Sequence, residues 1–216
     1  MANDIELHGA GQVVLDLIET INENRAYLSE IDGAIGDGDH GINMSKGFTQ
    51  CRDALLAAPQ PPGLAESFDT LAMTLLDGIG GSMGPLYGSI FMAFGEKLAG
   101  HERMDARLFG DALAQAVDAV HTVGEAKVGD KTLMDTLVPA RDAYLASLAA
   151  GADFSAALAA MVAAAETGWQ TTRALQARVG RAARLGERSI GALDAGATSS
   201  FLLLRTLASS LHSRLQ

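Results

Sequence analysis

Asp32, Asp37 and Asp39 fall within the twelve-residue stretch Asp32-Gly-Ala-Ile-Gly-Asp-Gly-Asp-His-Gly-Ile-Asn43, which also holds four glycines. Carboxylates this close in sequence can converge only if something offsets their repulsion, and a hard divalent cation does that best. Magnesium takes one or two carboxylates, keeps part of its water shell and shares its remaining positions with substrate phosphates. Glycine supplies the sharp turns and close approaches that such a loop needs. The stretch has the chemistry of a metal–phosphate site. Its composition also suits a solvated turn, and taken alone it does not choose between the two.

Other segments could complete such a site. Gly80-Gly-Ser-Met-Gly-Pro85 leads into a helical stretch, and free N–H groups at a helix start bind anions; a tight helix–helix turn is the plainer reading. Gly129-Asp-Lys-Thr132 has the same character, with Asp130 suited to capping a helix and Lys131 to a surface charge. Arg178, Arg181, Arg184 and Arg188 form a basic cluster in an acidic chain, and guanidinium groups grip phosphate with paired hydrogen bonds. Asp194-Ala-Gly-Ala-Thr198 reads as the cap of the last helix, and Trp169 as core. His40 could contact a ligand or orient a neighbouring carboxylate.

The usual nucleotide cradles are absent. Gly36, Gly38 and Gly41 match the spacing G-x-G-x-x-G, but that fingerprint needs a preceding strand, and a helical pattern precedes it here. No P-loop pattern occurs. An EF-hand starting at Asp37 would have Phe48 at its twelfth position, where the ligand glutamate belongs.

The elements that must position these residues read as helices throughout. Apolar residues recur at helical spacing over 5–28, 42–57, 64–77, 85–98, 106–122, 132–148, 154–176 and 197–214, and no segment alternates as a strand does. Eight helices leave glycine-bearing loops at 32–41, 78–84, 124–130 and 178–196. Each lies between an odd helix and the next even one. In an up-and-down arrangement such loops share one end, so four distant segments meet at a single site. The expected fold is all-α, a single domain over 1–216.

Composition sets the bounds. The chain of 216 residues is 48% hydrophobic but only 5% aromatic, a mixture that suits close-packed, alanine-rich helices. A net charge of -10 argues against nucleic acid or an anionic membrane as the main partner. Cys51 is the only cysteine, which excludes an intrachain disulfide. No apolar run reaches membrane-spanning length, and the first residues lack signal-peptide features. A cytoplasmic location is expected.

Taken together and in order, Ile35-Gly-Asp-Gly-Asp-His-Gly-Ile-Asn-Met44, Gly80-Gly-Ser-Met-Gly-Pro-Leu-Tyr-Gly88, Gly129-Asp-Lys-Thr-Leu-Met-Asp135, Gly180-Arg-Ala-Ala-Arg-Leu-Gly-Glu-Arg-Ser-Ile-Gly191 and Asp194-Ala-Gly-Ala-Thr-Ser199 resemble the nucleotide-binding L subunit of bacterial dihydroxyacetone kinases. The resemblance covers essentially the whole chain. It implies an antiparallel barrel of eight helices with ADP or ATP at one end. It also implies two magnesium ions on Asp32, Asp37 and Asp39, with His40, Gly41, Ile42, Asn43, Gly81 and Ser82 bordering the nucleotide. Gly124, Leu133, Arg181, Asp194, Ala195 and Gly196 would complete the pocket, with Arg181 the one candidate for a catalytic role. Met83, Leu133, Ala195 and Ala183-Arg184 depart from the family pattern, where serine, methionine, proline and Ser-Tyr are usual.

The resemblance further implies phosphoryl transfer to a short ketose, dihydroxyacetone or a tetrulose, held on a separate K subunit. The donor is either exchangeable ATP or a phosphohistidine-carrying phosphotransferase subunit that recharges a resident ADP. Two other readings fit parts of the sequence: the nucleotide domain of a fatty-acid kinase, and a nucleotide-sensing regulator of a transcription factor.

Overall fold

The computed structural model describes residues 4–216. Among these residues nine α-helices carry the chain: α1 (Gln12–Glu23), α2 (Arg25–Ile35), α3 (His40–Ala57), α4 (Leu64–Gly78), α5 (Met83–Leu98), α6 (Ala106–Gly124), α7 (Met134–Ala149), α8 (Phe154–Thr171) and α9 (Ala195–His212). The first predicted helix, 5–28, is the one redrawn. It begins at Gln12, runs on to Ile35 and is broken at Asn24. The Asn24 side chain donates to the Thr20 carbonyl at 2.8 Å, the local competition with the backbone that makes asparagine a poor interior residue. The backbone bonds Asn24 N–H to Thr20 O and Leu28 N–H to Asn24 O persist. Helices α1 and α2 are therefore one kinked rod, and the rods number eight.

These rods close into a ring. From α3 to α9 each helix packs on its successor, and α1 meets both α3 and α9. The buried stripe of α1, Val13, Val14, Leu17, Ile18 and Ile21, follows the spacing of a core-facing helix. Small residues let the helices approach, and the few aromatics fill the interior. Phe48, Phe91, Phe68, Phe94, Phe109 and Phe154 form a continuous chain of ring contacts with centroids 5.2–6.0 Å apart.

Two short strands, β1 (Asp4–Glu6) and β2 (Arg103–Asp105), pair antiparallel with Ile5 opposite Met104. Both central residues are buried. The sequence reading expected no strand, because three residues are too few for alternation to register. The pair lies beyond the α1 and α6 starts, away from the four glycine-bearing loops. No helix among the described residues is long and apolar enough to cross a membrane.

Candidate metal–nucleotide site

Four loops meet at one end of the ring and enclose a cavity of about 610 Å³. Its wall takes residues from the Asp32–Asn43 stretch, from Gly80–Tyr87, from Gly124–Met134, and from Val179–Ala182 with Asp194–Gly196. The up-and-down rod order is what brings these distant segments together.

The carboxylates stand on three different footings. Asp32 occupies the last turn of α2, Asp37 lies in the turn that follows, and Asp39 immediately precedes α3. Gly38, at φ 78°, makes the turn that brings the last two back towards the first, a conformation in which glycine pays no steric penalty. One oxygen from each aspartate lies within 4.8 Å of the others. Three hard oxygen donors in that space fit a magnesium-type cation. The His40 N–H reaches Asp32 Oδ2 at 3.4 Å. Arg181 pairs with Asp37, and its same guanidinium nitrogen is 3.8 Å from Asp39.

His40 is held by a buried polar chain. Its Nε2 lies 2.9 Å from Ser199 Oγ, which lies 2.6 Å from the Tyr87 hydroxyl, and Tyr87 also donates to Gly196 O. Burial drives the imidazole down to about 4, against the opposing pull of Asp32, so His40 is neutral at pH 7. Burial also pushes the Tyr87 hydroxyl up to about 12. The chain links α3, α5 and α9.

Asp194 caps α9, accepting from Ala197 N–H at 2.7 Å. Its carboxyl is pushed up to about 7, chiefly by burial; the Ala197 bond and Lys131 oppose the rise, while Asp135 and Asp32 add to it. Asp135 accepts from Gly129 N–H at 2.6 Å and Thr132 N–H at 2.7 Å, and so shapes the loop before α7.

The cavity gathers Asp32, Asp37, Asp39, His40, Asn43, Gly81, Ser82, Gly124, Leu133, Arg181, Asp194, Ala195 and Gly196. Gly41 and Ile42 do not line it. Gly41 is buried where α3 meets α2, and a Cβ there would collide with the Arg25 carbonyl oxygen. Ile42 turns outward, 47% exposed. Arg178, Arg184 and Arg188 are exposed outside the cavity wall. Lys131, read from sequence as a surface charge, is only 2% exposed, because three backbone carbonyls receive its ammonium. Asp130 caps no helix; its carboxylate accepts from Lys127 N–H within the loop. Trp169 is half-buried and stacks on Phe201 at 4.6 Å. Sequence reasoning assigned no role to Tyr87 or Ser199, since an aromatic and a small residue on a buried helix face read as packing.

The cavity wall combines carboxylates, Ser82 and Arg181 with the apolar side chains of Leu86, Val120, Val123, Leu133 and Met134, a mixture that suits a ligand with both charged and apolar parts.

The DAK2 domain family matches residues 34–209. The chain is 39% identical over 204 residues, 93% of either chain, to the ADP-binding subunit DhaL of a PEP-dependent dihydroxyacetone kinase from Listeria innocua. It is 35% identical to the DhaL subunit of Escherichia coli, covering 89% of this chain and 90% of that one. A D-erythrulose kinase of Mycolicibacterium smegmatis is 32% identical over 89% of this chain, which spans only 33% of that longer protein. Among solved structures, the dihydroxyacetone kinase of C. freundii superposes with a TM-score of 0.71 at 25% identity, over 95% of this chain and 36% of that one. The same enzyme in complex with AMP-PNP and Mg2+ superposes with a TM-score of 0.67 at 26% identity, over 93% of this chain and 33% of that one.

Proposed function

Since the chain belongs to the DAK2 domain family, we propose that it is the nucleotide-binding subunit of a two-component kinase that phosphorylates dihydroxyacetone or a tetrulose such as erythrulose. The observation that carries this reading is the triad of carboxylate oxygens, all within 4.8 Å of one another, in the wall of a cavity large enough for a nucleotide.

Asp32, Asp37 and Asp39 would hold the magnesium, two ions in this reading. Bound there, magnesium supplies charge neutralisation for the phosphates, the main requirement of phosphoryl transfer. The chain's own residues position. Gly81 and Ser82 present backbone N–H groups at the start of α5, where the helix dipole favours anions. Arg181, beside Asp37 and Asp39, offers a guanidinium to phosphate oxygens. Asn43 and neutral His40 border the phosphates, while Gly41 packs α3 against α2 and Ile42 faces outward. Leu133, Gly124 and Asp194 to Gly196 close on the base and ribose. No side chain of this subunit needs to act as nucleophile or base.

The acceptor is supplied by a partner. The relatives that match this chain end to end carry subunit names, whereas the single-chain erythrulose kinase is about three times as long. A ketose-binding subunit would dock over the end of the ring that carries the cavity; Ile42 in the first turn of α3 and Val128 in the loop between α6 and α7 belong to that end and are 47% and 51% exposed. The PEP- and PTS-dependent names of the end-to-end relatives favour resident ADP recharged by a phosphohistidine subunit over exchange of ATP.

Reconstitution tests the reading. Phosphorylation of dihydroxyacetone should require this chain, a ketose-binding subunit and a phosphoryl donor together. Robust ketose kinase activity by the purified chain alone would contradict it.

A further inference from the structure

Lys131 combines two features that are individually uncommon. Its backbone sits at φ 63°, a left-handed conformation rare outside glycine and asparagine. Its side chain is 2% exposed, although lysine is almost never fully buried unless paired. No carboxylate receives the ammonium. The three protons go to three backbone carbonyls: Thr172 and Ala192 at 2.6 Å each, and Leu175 at 3.2 Å. That satisfies every donor the group has. Burial pulls its pKa down while Asp194 and Asp135 hold it up.

The three carbonyls belong to the two ends of one segment. Between them the chain runs out over the site, and Val179, Gly180, Arg181 and Ala182 on this excursion line the cavity. From 173 to 193 only Ala177 and Ser189 are buried, so apolar packing contributes little to holding the excursion in place. Polar ties do the holding. Arg178 N–H donates to Asp130 O, and Gly191 N–H to Arg173 O. Ser189 Oγ accepts from Ala177 N–H and donates to Gly186 O. Lys131 gathers the two stems of the loop onto the residues just before α7.

We propose that Lys131 is a positioning residue that straps the Arg181-bearing loop over the nucleotide, acting as an internal cation in place of a bound metal. Lys131 borders the cavity, but its ammonium is committed to the three carbonyls and so leaves no proton for phosphate. Its effect on nucleotide passes through Arg181, and this rests on the reading that the cavity binds nucleotide.

The test is a double-mutant cycle on the full-length chain, measuring ADP affinity in magnesium buffer by titration calorimetry for wild type, Lys131→Met, Arg181→Ala and the double variant. Each single variant should weaken ADP about 10- to 100-fold, the range for losing a charge-assisted contact. The double variant should bind within about twofold of the weaker single, because the two act as one unit. Losses that multiply would overturn the proposal, since damage to the fold at large would not depend on Arg181. If Lys131→Met does not fold, Lys131→Gln, whose amide keeps two of the three donors, enters the cycle in its place; non-additive losses again support the strap and multiplying losses again overturn it. Trypsin gives a readout free of nucleotide: cleavage at Arg178, Arg181 and Arg184 should accelerate in either Lys131 variant while the helical circular dichroism stays intact. Should wild type fail to bind ADP, the nucleotide reading falls, and unchanged cleavage would then overturn the strap as well.

Discussion

Arg181 is ion-paired with Asp37 across the mouth of the cavity, with Asp39 3.8 Å from the same nitrogen. The two partners come from opposite ends of the chain, one from the loop before α9 and one from the turn before α3. Both are substantially exposed, 63% and 47%, so the pair itself contributes little to stability. Its value is positional, since it sets a cation beside the carboxylates that phosphate would approach. Replacing Arg181 with Met should leave the melting temperature within a few degrees while weakening ADP about tenfold or more. Thermal melts and ADP titrations on the same preparation check both halves.

Gly41 is a packing residue in this structure. A Cβ would strike the Arg25 carbonyl oxygen where α3 meets α2, and backbone cannot yield as a side-chain end can. Gly41→Ala should cost about 1–3 kcal/mol, the usual penalty for overpacking. It should also disturb the adjoining Asp37–His40 turn. Denaturant titration would record the stability loss, and weaker ADP binding would accompany it.

Cys51 is fully buried, and burial pushes its thiol up to about 12, with a bond to Thr74 opposing. In the unfolded chain the thiol ionises near its ordinary value of 9.0, so between pH 9 and 12 the unfolded state gives up its proton first. The Cys51 contribution is fully present below pH 9 and is lost as pH rises towards 12. A thiol reagent at pH 8 should therefore leave the native protein unlabelled and label one thiol on unfolding. Cys51→Ala should flatten the alkaline decline in stability.

The proposed partner surface can be separated from the nucleotide pocket. Ile42 and Val128 are exposed and lie outside the cavity wall. Ile42→Glu with Val128→Glu should leave ADP affinity nearly unchanged but lower turnover with a ketose-binding subunit about tenfold or more, as removal of interface apolar anchors does. Equal losses in binding and turnover would place these residues in the pocket instead.

How far the sequence carries can be seen at particular residues. The helical rhythm and the phase of the four glycine-bearing loops were legible, because both follow from apolar spacing and rod order. The proximity of Asp32, Asp37 and Asp39 was legible too, since one short turn sets it. The break at Asn24 was not, because apolar spacing continues across it. Nor was the burial of Lys131, whose carbonyl partners lie 41 to 61 residues away. Gly41 and Ile42 follow His40 directly in sequence, yet the first turn of α3 rotates one into the α2 contact and the other outward.

The most direct measurement is ADP binding by the purified chain with and without magnesium, compared with Asp37→Ala. Wild type should carry stoichiometric, magnesium-dependent ADP and two magnesium ions by native mass spectrometry, and the variant should lose both. Wild type that neither retains nor rebinds ADP in magnesium, or a variant that binds it as well, would contradict the central claim.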